Sequence, residues 1–289
     1  MKPAPFDHHS PTTVAEAIDL LARTDGEAKV LAGGQSLIPI LALRLTRFDH
    51  LIDLRLIEPL RCIERVDGSL RVGAMTTQAI AESDPDVAAA AALLAAAIPH
   101  IGHFQVRNQG TIGGSIAHAD PAAELPAVAL ALDARMEIAG PDGAREVAAQ
   151  EFFLSTFTTC LDEAELLVAV RFPEWDPGSG FALEEIARRH GDFAIAGAAC
   201  GLTVTDNRIS RAAISMFGMG STPLRAETVE AALRDTDPAD IDLIEVGRTA
   251  VRDLDPPDDL HGSPEYRRQI GAVAVTRALR HALQEADRG

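Results

Sequence analysis

The sequence predicts an α+β protein with two domains. The chain has 289 residues, 47% hydrophobic and 24% charged, which is enough chain for two hydrophobic cores. Short strand and helix patterns are interspersed up to residue 173, whereas beyond residue 180 three strand patterns precede three helix patterns. Such segregation of strands and helices along the chain is typical of α+β domains. Residues 175–180, WDPGSG, have the composition of a linker, so we expect the domain boundary there.

The patterns of the first domain, residues 1–176, fall into two lobes. In the first lobe, 1–55, Ser10 and Pro11 are residue types that begin helices, and apolar residues follow at helical spacing from Val14. The apolar runs 29–32 and 51–54 predict strands. The second lobe, 56–176, contains further strand and helix patterns, namely strands at 62–66, 70–73, 135–139, 145–148 and 166–172 and helices at 87–97 and 125–132. Turn residues at 67–68 and 141–143 predict hairpins.

The second domain, residues 180–287, is predicted to be an antiparallel sheet with helices on one face. Strand patterns lie at 181–188, 194–204 and 209–217, and helix patterns at 225–233, 241–250 and 264–286. Strands in direct succession pair antiparallel, and the helices that follow cover one face of the sheet. Residues 253–259 are rich in Asp and Pro, so we expect an exposed loop between the last two helices.

Charge and composition exclude several classes of function. The chain has 26 basic and 43 acidic residues, and its formal net charge of −17 repels nucleic acids and anionic membranes. No apolar run approaches the length of a membrane span, and the N-terminal segment does not resemble a signal peptide, so we expect a cytoplasmic protein. The three cysteines, Cys62, Cys160 and Cys200, are too few to ligate an iron–sulfur cluster.

Two Gly-Gly pairs are the strongest signals of a binding site. Gly33-Gly34-Gln35-Ser36 follows a predicted strand, and Gly113-Gly114-Ser115 comes some eighty residues later. Glycines let the backbone bring N–H groups close to a ligand, and a row of N–H groups beside a hydroxyl suits a diphosphate. Neither segment matches the P-loop or the dinucleotide fingerprint. The pattern alone therefore predicts a diphosphate-containing ligand that two loops hold without lysine.

Two other clusters have a structural interpretation that we prefer. His100, His103 and His118 lack the spacing of metal ligands on a helix, so we expect no metal site and assign His118 to packing beside the second Gly-Gly pair. Glu184 and Glu185 resemble an acid/base dyad, but neighbouring residues on a strand point to opposite faces of the sheet. We therefore predict no catalytic side chain.

Four motifs together carry a resemblance to a known family. They are AGGQSLIPILALRL at 32–45, RNQGTIGGSIAHADPAAELP at 107–126, RRHGDFA at 188–194 and SPEYRR at 263–268. In this order the chain resembles, essentially end to end, the FAD-binding medium subunit of the molybdenum hydroxylases, the group of carbon monoxide dehydrogenase and xanthine dehydrogenase.

The resemblance implies a fold, a cofactor and partners. It implies an FAD-binding domain of two α+β lobes, of the vanillyl-alcohol oxidase type, followed by the smaller C-terminal α+β domain of the carbon monoxide dehydrogenase flavoprotein. It implies that FAD receives electrons from the [2Fe–2S] clusters of a small partner subunit, while a large partner subunit holds the molybdenum cofactor. The external acceptor implied is a quinone, a cytochrome, oxygen or NAD.

The resemblance also assigns binding roles by position. Residues matching the first diphosphate loop are Ala32, Gly33, Gly34, Gln35, Ser36 and Leu37, and those matching the second are Thr111, Gly113, Gly114 and Ser115. Asp120 and Glu124 match acids near ribityl or ribose hydroxyls, and Ile101 and Leu167 match apolar residues bordering the flavin ring. Arg188 and Asp192 lie in the segment that approaches the ring from the second domain.

One segment departs from the family pattern. Relatives often carry an aromatic residue and a lysine ahead of the arginine pair, whereas this chain has Leu183, Glu184 and Glu185. Two rival functions stay open beside the electron-transfer subunit. One is a stand-alone flavin-dependent oxidase or reductase of the same fold, and the other is a scaffold subunit without redox function.

Overall fold

A parallel three-stranded sheet forms the N-terminal lobe. The computed structural model describes residues 2–287. The lobe contains, in chain order, β1 (Asp7–His9), α1 (Val14–Arg23), β2 (Ala28–Leu31), α2 (Leu37–Ala42) and β3 (His50–Asp53). Both outer strands pair in parallel with β3, in the order β1-β3-β2. The structure confirms the two predicted strands within one residue and adds β1.

The start of α1 differs from the prediction. The helix begins at Val14, and Thr13 is its N-cap because its side chain accepts a hydrogen bond from the N–H of Glu16, 3.1 Å away. Ser10 and Pro11 lie ahead of the helix. The prediction of a start at Ser10 was wrong because a second capping residue stands closer to the apolar face of the helix.

The second lobe is built around an antiparallel sheet of five strands in the order β4-β5-β10-β6-β7. Its strands are β4 (Ile63–Val66), β5 (Ser69–Gly73), β6 (Arg135–Gly140), β7 (Gly143–Ala148) and β10 (Leu166–Pro173), and β8 (Phe153–Ser155) and β9 (Thr158–Thr159) form a separate small hairpin. All five predicted strands of this lobe are present. Asp67 and Gly68 both have positive φ, of 50° and 70°, as a tight hairpin turn requires.

Seven helices cover the second lobe. They are α3 (Gln78–Ser83), α4 (Pro85–Ala90), α5 (Ala92–Ala97), α6 (Phe104–Arg107), α7 (Ile112–His118), α8 (Glu124–Ala131) and α9 (Ala149–Phe152). The predicted helix 87–97 is divided, because Ala91 leaves the helical region with φ −138° and ψ 58°. The predicted helix 125–132 is α8, which is buried along its whole length.

The C-terminal part contains the predicted antiparallel sheet and three helices. Its elements are β11 (Ser179–Ile186), β12 (Ala196–Thr205), β13 (Arg208–Phe217), β14 (Leu224–Arg225), α10 (Glu227–Leu233), α11 (Leu243–Val251) and α12 (Pro264–Ala286). The strands follow chain order across the sheet. Helix α10 begins two residues later than predicted because Leu224 and Arg225 pair with β13 as a short fourth strand.

Both faces of the C-terminal sheet are covered. On one face Ala198, Cys200 and Leu202 share a buried cluster with residues of α12. On the other face Ala199, Ala213 and Phe217 belong to the core of the second lobe, which includes α5 and α8. The sheet therefore has its own helices on one face, as predicted, and the helices of the preceding domain on the other.

Within residues 2–287, no helix combines the length and the apolar composition needed to cross a membrane.

Candidate functional site

The first Gly-Gly segment presents a row of backbone N–H groups between β2 and α2. Gly34 has φ +71°, which a residue with a Cβ adopts only at a cost. Among residues 2–287, no backbone carbonyl accepts a hydrogen bond from the N–H groups of Gly33, Gly34, Gln35 or Ser36. These donors are only partly exposed, except at Gln35. The segment therefore forms the kind of N–H row that binds a diphosphate.

The second Gly-Gly pair lies in the first turn of α7. The N–H of Gly113 donates to Ala74 O at 3.0 Å, that of Gly114 to Thr111 Oγ1 at 3.0 Å and that of Ser115 to Thr111 O at 3.1 Å. Thr111 is the N-cap of the helix. The N–H groups of Gly113, Gly114 and Ser115 are thus already hydrogen-bonded, to Ala74 and to Thr111. The assignment of this segment to FAD binding stays a prediction. Among residues 2–287, no hydrogen bond is made by the Ser115 hydroxyl, so this group is available to a ligand.

The two Gly-Gly segments pack directly against each other. A Cβ on Gly33 would overlap the backbone of Gln109 and Gly110. A Cβ on Gly114 would lie 2.6 Å from Thr111 Oγ1 and 3.1 Å from Ala32 Cβ. The glycines thus allow the two segments to touch, which brings Ser115 and the N–H row of the first segment to the same place.

The turn between α7 and α8 contains the two predicted carboxyl groups. Asp120 shapes this turn, because Oδ1 accepts the N–H of Ala122 at 2.9 Å and its carbonyl accepts that of Ala123 at 3.1 Å. Glu124 begins α8 and is 5% exposed. Burial raises the pKa of Glu124 to about 7, with smaller contributions from the charges of Glu185 and Asp120. Asp120 thus fixes the turn, and Glu124 is a buried carboxyl that titrates near neutral pH. The assignment of both residues to FAD hydroxyls stays a prediction.

The predicted flavin-bordering residues lie beside the interface between the domains. Leu167 is 5% exposed in β10 and belongs to the core of the second lobe, against which Ile101 packs while partly exposed. From the C-terminal part, the β11–β12 loop reaches this region, since a Cβ on Gly191 would lie 2.8 Å from His103 Cε1. Arg188 and Asp192 in this loop form an exposed ion pair of 3.5 Å.

A cavity of about 450 Å³ separates the β11–β12 loop from α6. Its lining includes His103, Phe104, Arg107 and His190. The Arg107 guanidinium also donates to the carbonyl of Ile101, 3.2 Å away. Arg107 therefore connects the lining of this cavity to the backbone of Ile101.

Sequence reasoning missed two Glu–His pairs at β11. Glu185 Oε1 lies 3.6 Å from His100 Nδ1, an ion-pair distance, and the Glu185 side chain is 7% exposed. Glu184 lies 2.9 Å from His281 Nδ1, on α12. The two carboxyl groups thus point to opposite faces of the sheet, as the alternation of strand residues predicts. The histidine partners lie far from Glu184 and Glu185 in sequence, so no local sequence pattern predicts these pairs.

His100, His103 and His118, which were considered as metal ligands, make separate contacts in the structure. Among residues 2–287, no group of three or more His, Cys, Asp or Glu side chains has the arrangement of a metal site. His118 stacks on Phe157 with ring centroids 4.9 Å apart, and burial lowers its pKa. The Glu185 carboxylate raises the pKa of His100, against the effect of burial.

These groups fit FAD as a ligand. The N–H row at 33–36 and the Ser115 hydroxyl suit the diphosphate, and Ile101 offers apolar surface to a ring. Glu124 is a nearly buried carboxyl to which no Arg or Lys side chain within residues 2–287 donates a hydrogen bond. Such a group is suited to pair with sugar or ribityl hydroxyls.

Comparisons with known proteins place the chain in a family. Residues 4–175 match the model of the FAD binding domain in molybdopterin dehydrogenase, and residues 181–282 match that of the CO dehydrogenase flavoprotein C-terminal domain. The chain is 40% identical to the 6-hydroxypseudooxynicotine dehydrogenase complex subunit alpha of Paenarthrobacter nicotinovorans, covering 99% of this chain and 97% of the relative. It is 38% identical to the carbon monoxide dehydrogenase medium chain of Hydrogenophaga pseudoflava, covering 98% of each.

A solved structure agrees with this placement. The structure of carbon monoxide dehydrogenase from Hydrogenophaga pseudoflava, which lacks the Mo-pyranopterin moiety of the molybdenum cofactor, matches with a TM-score of 0.96 at 38% identity over 99% of both chains. Sequence, fold and the geometry of the Gly-Gly segments agree, and the chain belongs to the family of FAD-binding medium subunits of the molybdenum hydroxylases.

Proposed function

We propose that this chain is the electron-transfer subunit of a heteromeric molybdenum hydroxylase. When bound, FAD would supply the redox chemistry of such a subunit, between the [2Fe–2S] clusters of a small subunit and a quinone, a cytochrome, oxygen or NAD as acceptor. The observation that carries the proposal is the row of N–H groups at 33–36, which donate to no acceptor within residues 2–287 and are held against the start of α7. In this proposal a large subunit with the molybdenum cofactor completes the complex in the cytoplasm, and the chain divides into domains of 1–176 and 180–287.

The residues of this chain bind and orient the cofactor. The N–H groups from Gly33 to Ser36 donate to the diphosphate, and the Ser115 hydroxyl donates from the neighbouring segment. Such neutral donors stabilise two negative charges without a lysine. Gly113 and Gly114, whose N–H groups are already hydrogen-bonded, and Thr111, which accepts from Gly114 and Ser115, hold the α7 turn in place.

The remaining predicted residues surround the flavin in this proposal. Ile101 and Leu167 border the ring, and Glu124 reaches the ribityl or ribose hydroxyls. Arg188 and Asp192 belong to the loop that closes over the site from the C-terminal domain, where Gly191 contacts His103. A cation near the ring favours a reduced, anionic flavin, and Arg188 is positioned on this loop to supply it.

The first test is a visible absorption spectrum of the purified full chain after incubation with FAD. We expect a flavin spectrum that bleaches on addition of dithionite and returns on reoxidation, with FAD released on denaturation. The variant Gly114→Asp should lose the spectrum, because its side chain displaces Thr111 and Ala32 and adds a negative charge beside the diphosphate. A folded wild-type chain that stays colourless would overturn the flavoprotein assignment in favour of the scaffold function. Turnover of a small organic donor without partners would favour the stand-alone oxidase.

A further inference from the structure

The SPEYRR motif at residues 263–268 begins α12 and contributes one buried charged side chain. Ser263 caps the helix, because its Oγ accepts the N–H of Tyr266 at 3.2 Å, and Pro264 is the first residue of the helix. Arg267 follows in the first turn and is 4% exposed. Its guanidinium lies at the end of the β11–β12 loop, residues 187–195, which reaches the candidate site from the C-terminal domain.

The guanidinium of Arg267 bridges three separate segments of the C-terminal domain. Nη1 donates to the carbonyl of Ile195, the last residue of the β11–β12 loop, and to that of Gly218, 3.0 Å away and directly after β13. Nη2 donates to both carboxylate oxygens of Asp259, at 2.7 and 2.8 Å. One side chain therefore holds the end of this loop, the end of β13 and the segment between α11 and α12 in a fixed arrangement.

Gly218 extends this arrangement across the interface between the domains. Its N–H donates to the carbonyl of Pro121 at 2.7 Å, in the turn between α7 and α8 where the two predicted carboxyl groups lie. Its φ is +70°, and a Cβ on Gly218 would lie 2.7 Å from the carbonyl oxygen of Ile195. Hydrogen bonds thus connect Arg267, by way of Gly218, to a turn of the candidate FAD site.

Stability alone does not account for an arginine at this position. The helix dipole opposes a cation in the first turn of a helix. Nε of Arg267 is buried and has no hydrogen-bond partner within residues 2–287, and a buried donor without an acceptor costs free energy. A buried ion pair is often no more stabilising than apolar residues of the same volume. The planar fork of an arginine is, however, well suited to hold acceptors from several segments at fixed angles.

We propose that Arg267 is a positioning residue for the flavin site, which fixes the end of the β11–β12 loop and, through Gly218, the turn between α7 and α8. The inference rests on the proposed function, because it gives a role in FAD binding to the contact between this loop and the first domain. Without Arg267, the carbonyls of Ile195 and Gly218 lose a charged donor. The loop then gains freedom to move away from His103, beside which Gly191 lies.

The first experiment needs no FAD and measures hydrogen exchange of backbone amides in the full chain. The N–H of Ile195, which donates to Ile186 O at 2.8 Å, and the N–H of Gly218 report on the two segments that Arg267 holds. In Arg267→Met we expect both amides to exchange about tenfold faster or more, as the loss of a hydrogen bond to a charged group predicts for a local opening equilibrium. The β4–β5 hairpin lies outside these contacts and should be affected far less.

Arg268→Met is the matched control for this experiment. Arg268 is the neighbouring arginine of the same motif and donates to the carbonyl of Leu254 at 3.1 Å, within the C-terminal domain. Its loss should leave the exchange of Ile195 and Gly218 unchanged. Arg267→Lys keeps the charge but lacks the fork, so we expect intermediate exchange rates, and this milder variant decides the question if Arg267→Met does not fold.

Two outcomes of the exchange experiment would overturn the positioning role. One is wild-type exchange at Ile195 and Gly218 in the folded variants of Arg267. The other is equal acceleration of exchange throughout the chain, the β4–β5 hairpin included, because that result indicates a general loss of stability.

The second experiment measures the affinity of the full chain for FAD and the rate of FAD release by flavin fluorescence. We expect Arg267→Met to bind FAD roughly tenfold more weakly and to release it faster, and Arg268→Met to behave as the wild type. Faster amide exchange with wild-type FAD affinity would overturn the link to the flavin site and leave the proposed function intact. A wild-type chain that binds no FAD would overturn the proposed function and this link together, whereas amide exchange would still decide whether Arg267 holds the loop.

Discussion

Gly34 is the position where the backbone conformation and the proposed binding of FAD depend on the same residue. Its φ is +71°, and a Cβ at this position would lie 3.0 Å from Ile38 Cγ1, so an alanine there is strained. We expect Gly34→Ala to destabilise the chain by about 1 kcal/mol and to weaken FAD binding, because relief of the strain moves the N–H row. Urea unfolding and FAD titration by fluorescence measure the two effects.

Gly68 offers the matched control for this prediction. It has nearly the same φ, +70°, in a hairpin turn, and a Cβ there meets no atom within 4 Å. Gly68→Ala should therefore lose a similar amount of stability and bind FAD like the wild type. Equal losses of FAD affinity in the two variants would show that the effect comes from general destabilisation and not from the N–H row.

Glu124 makes the stability of the chain without FAD depend on pH. Burial raises its pKa to about 7 from an ordinary value of 4.5. Between these values the unfolded chain releases the proton and the folded chain keeps it, so stability falls as pH rises from 4.5 to 7 and levels off above pH 7. Glu124→Gln removes this contribution and should stabilise the chain at pH 8 by on the order of 3 kcal/mol. At pH 4 the two proteins should unfold at the same urea concentration.

Measurement of urea midpoints across this pH range checks the sign as well as the size. The urea midpoint of Glu124→Gln should exceed that of the wild type by an amount that grows as the pH rises. A difference in urea midpoint that grows as the pH falls, or that stays constant with pH, would show that Glu124 is ionised in the folded chain.

The start of α7 depends on one side chain. Thr111 Oγ1 accepts the N–H of Gly114 at 3.0 Å and holds the turn that packs on Ala32. Thr111→Ala should cost about 1 kcal/mol of stability and weaken FAD binding, while Thr111→Ser retains both. Thr13 caps α1 in the same way, so Thr13→Ala should show a similar loss of stability with unchanged FAD affinity. An unchanged FAD affinity in Thr111→Ala would contradict the role assigned to the α7 turn.

Helices α7 and α4–α5 also show where local patterns mislead. The run at 87–97 is apolar and rich in alanine, so local propensity favours one helix. In the structure Ala91 leaves the helical region, and the two short helices that it separates each bury part of their apolar residues. Similarly, Gly113 and Gly114 are poor helix formers, but the carbonyl of Ala74 and the side chain of Thr111 accept their N–H groups and hold them in a helical turn.

The two domains share a core, which predicts that they unfold together. Ala199, Ala213 and Phe217 of the C-terminal sheet are buried in the cluster that also contains α5 and α8. Loss of either domain would expose this apolar surface of the other. We therefore expect one urea transition at which far-ultraviolet circular dichroism and the fluorescence of Trp175 coincide. Two separated transitions would show that the domains are independent.

Arg225 joins the domains by hydrogen bonds to both. It donates to Glu230 at 2.7 Å within the C-terminal part, and to Leu130 O and Asp133 Oδ1 at 2.8 Å across the interface. Glu230 is 3% exposed, so Arg225→Met leaves a buried carboxylate without its charge partner. We expect a loss of about 3–5 kcal/mol in urea unfolding, part of which the double variant Arg225→Met/Glu230→Gln restores. A loss below about 1 kcal/mol would contradict the buried pair.

Local sequence determined most of the elements and the approximate place of the site. Apolar periodicity and turn residues act within a few positions, which is why the hairpins, the C-terminal strands and α12 are readable from the chain. The two Gly-Gly pairs predicted a diphosphate-containing ligand, and the family resemblance identified that ligand as FAD and named the other residues of the site. The roles of those residues individually stay predictions.

Tertiary structure decided which groups of the site are available. Whether an N–H group is free depends on acceptors from other segments, so the row at 33–36 and the satisfied donors of α7 became distinguishable only in the fold. Segments far apart in sequence also cover the second face of the C-terminal sheet and bring Glu185 into an ion pair with His100. Hydrogen-bond saturation, burial and charge coupling are properties of packed neighbours, and the order of residues along a chain does not specify them locally.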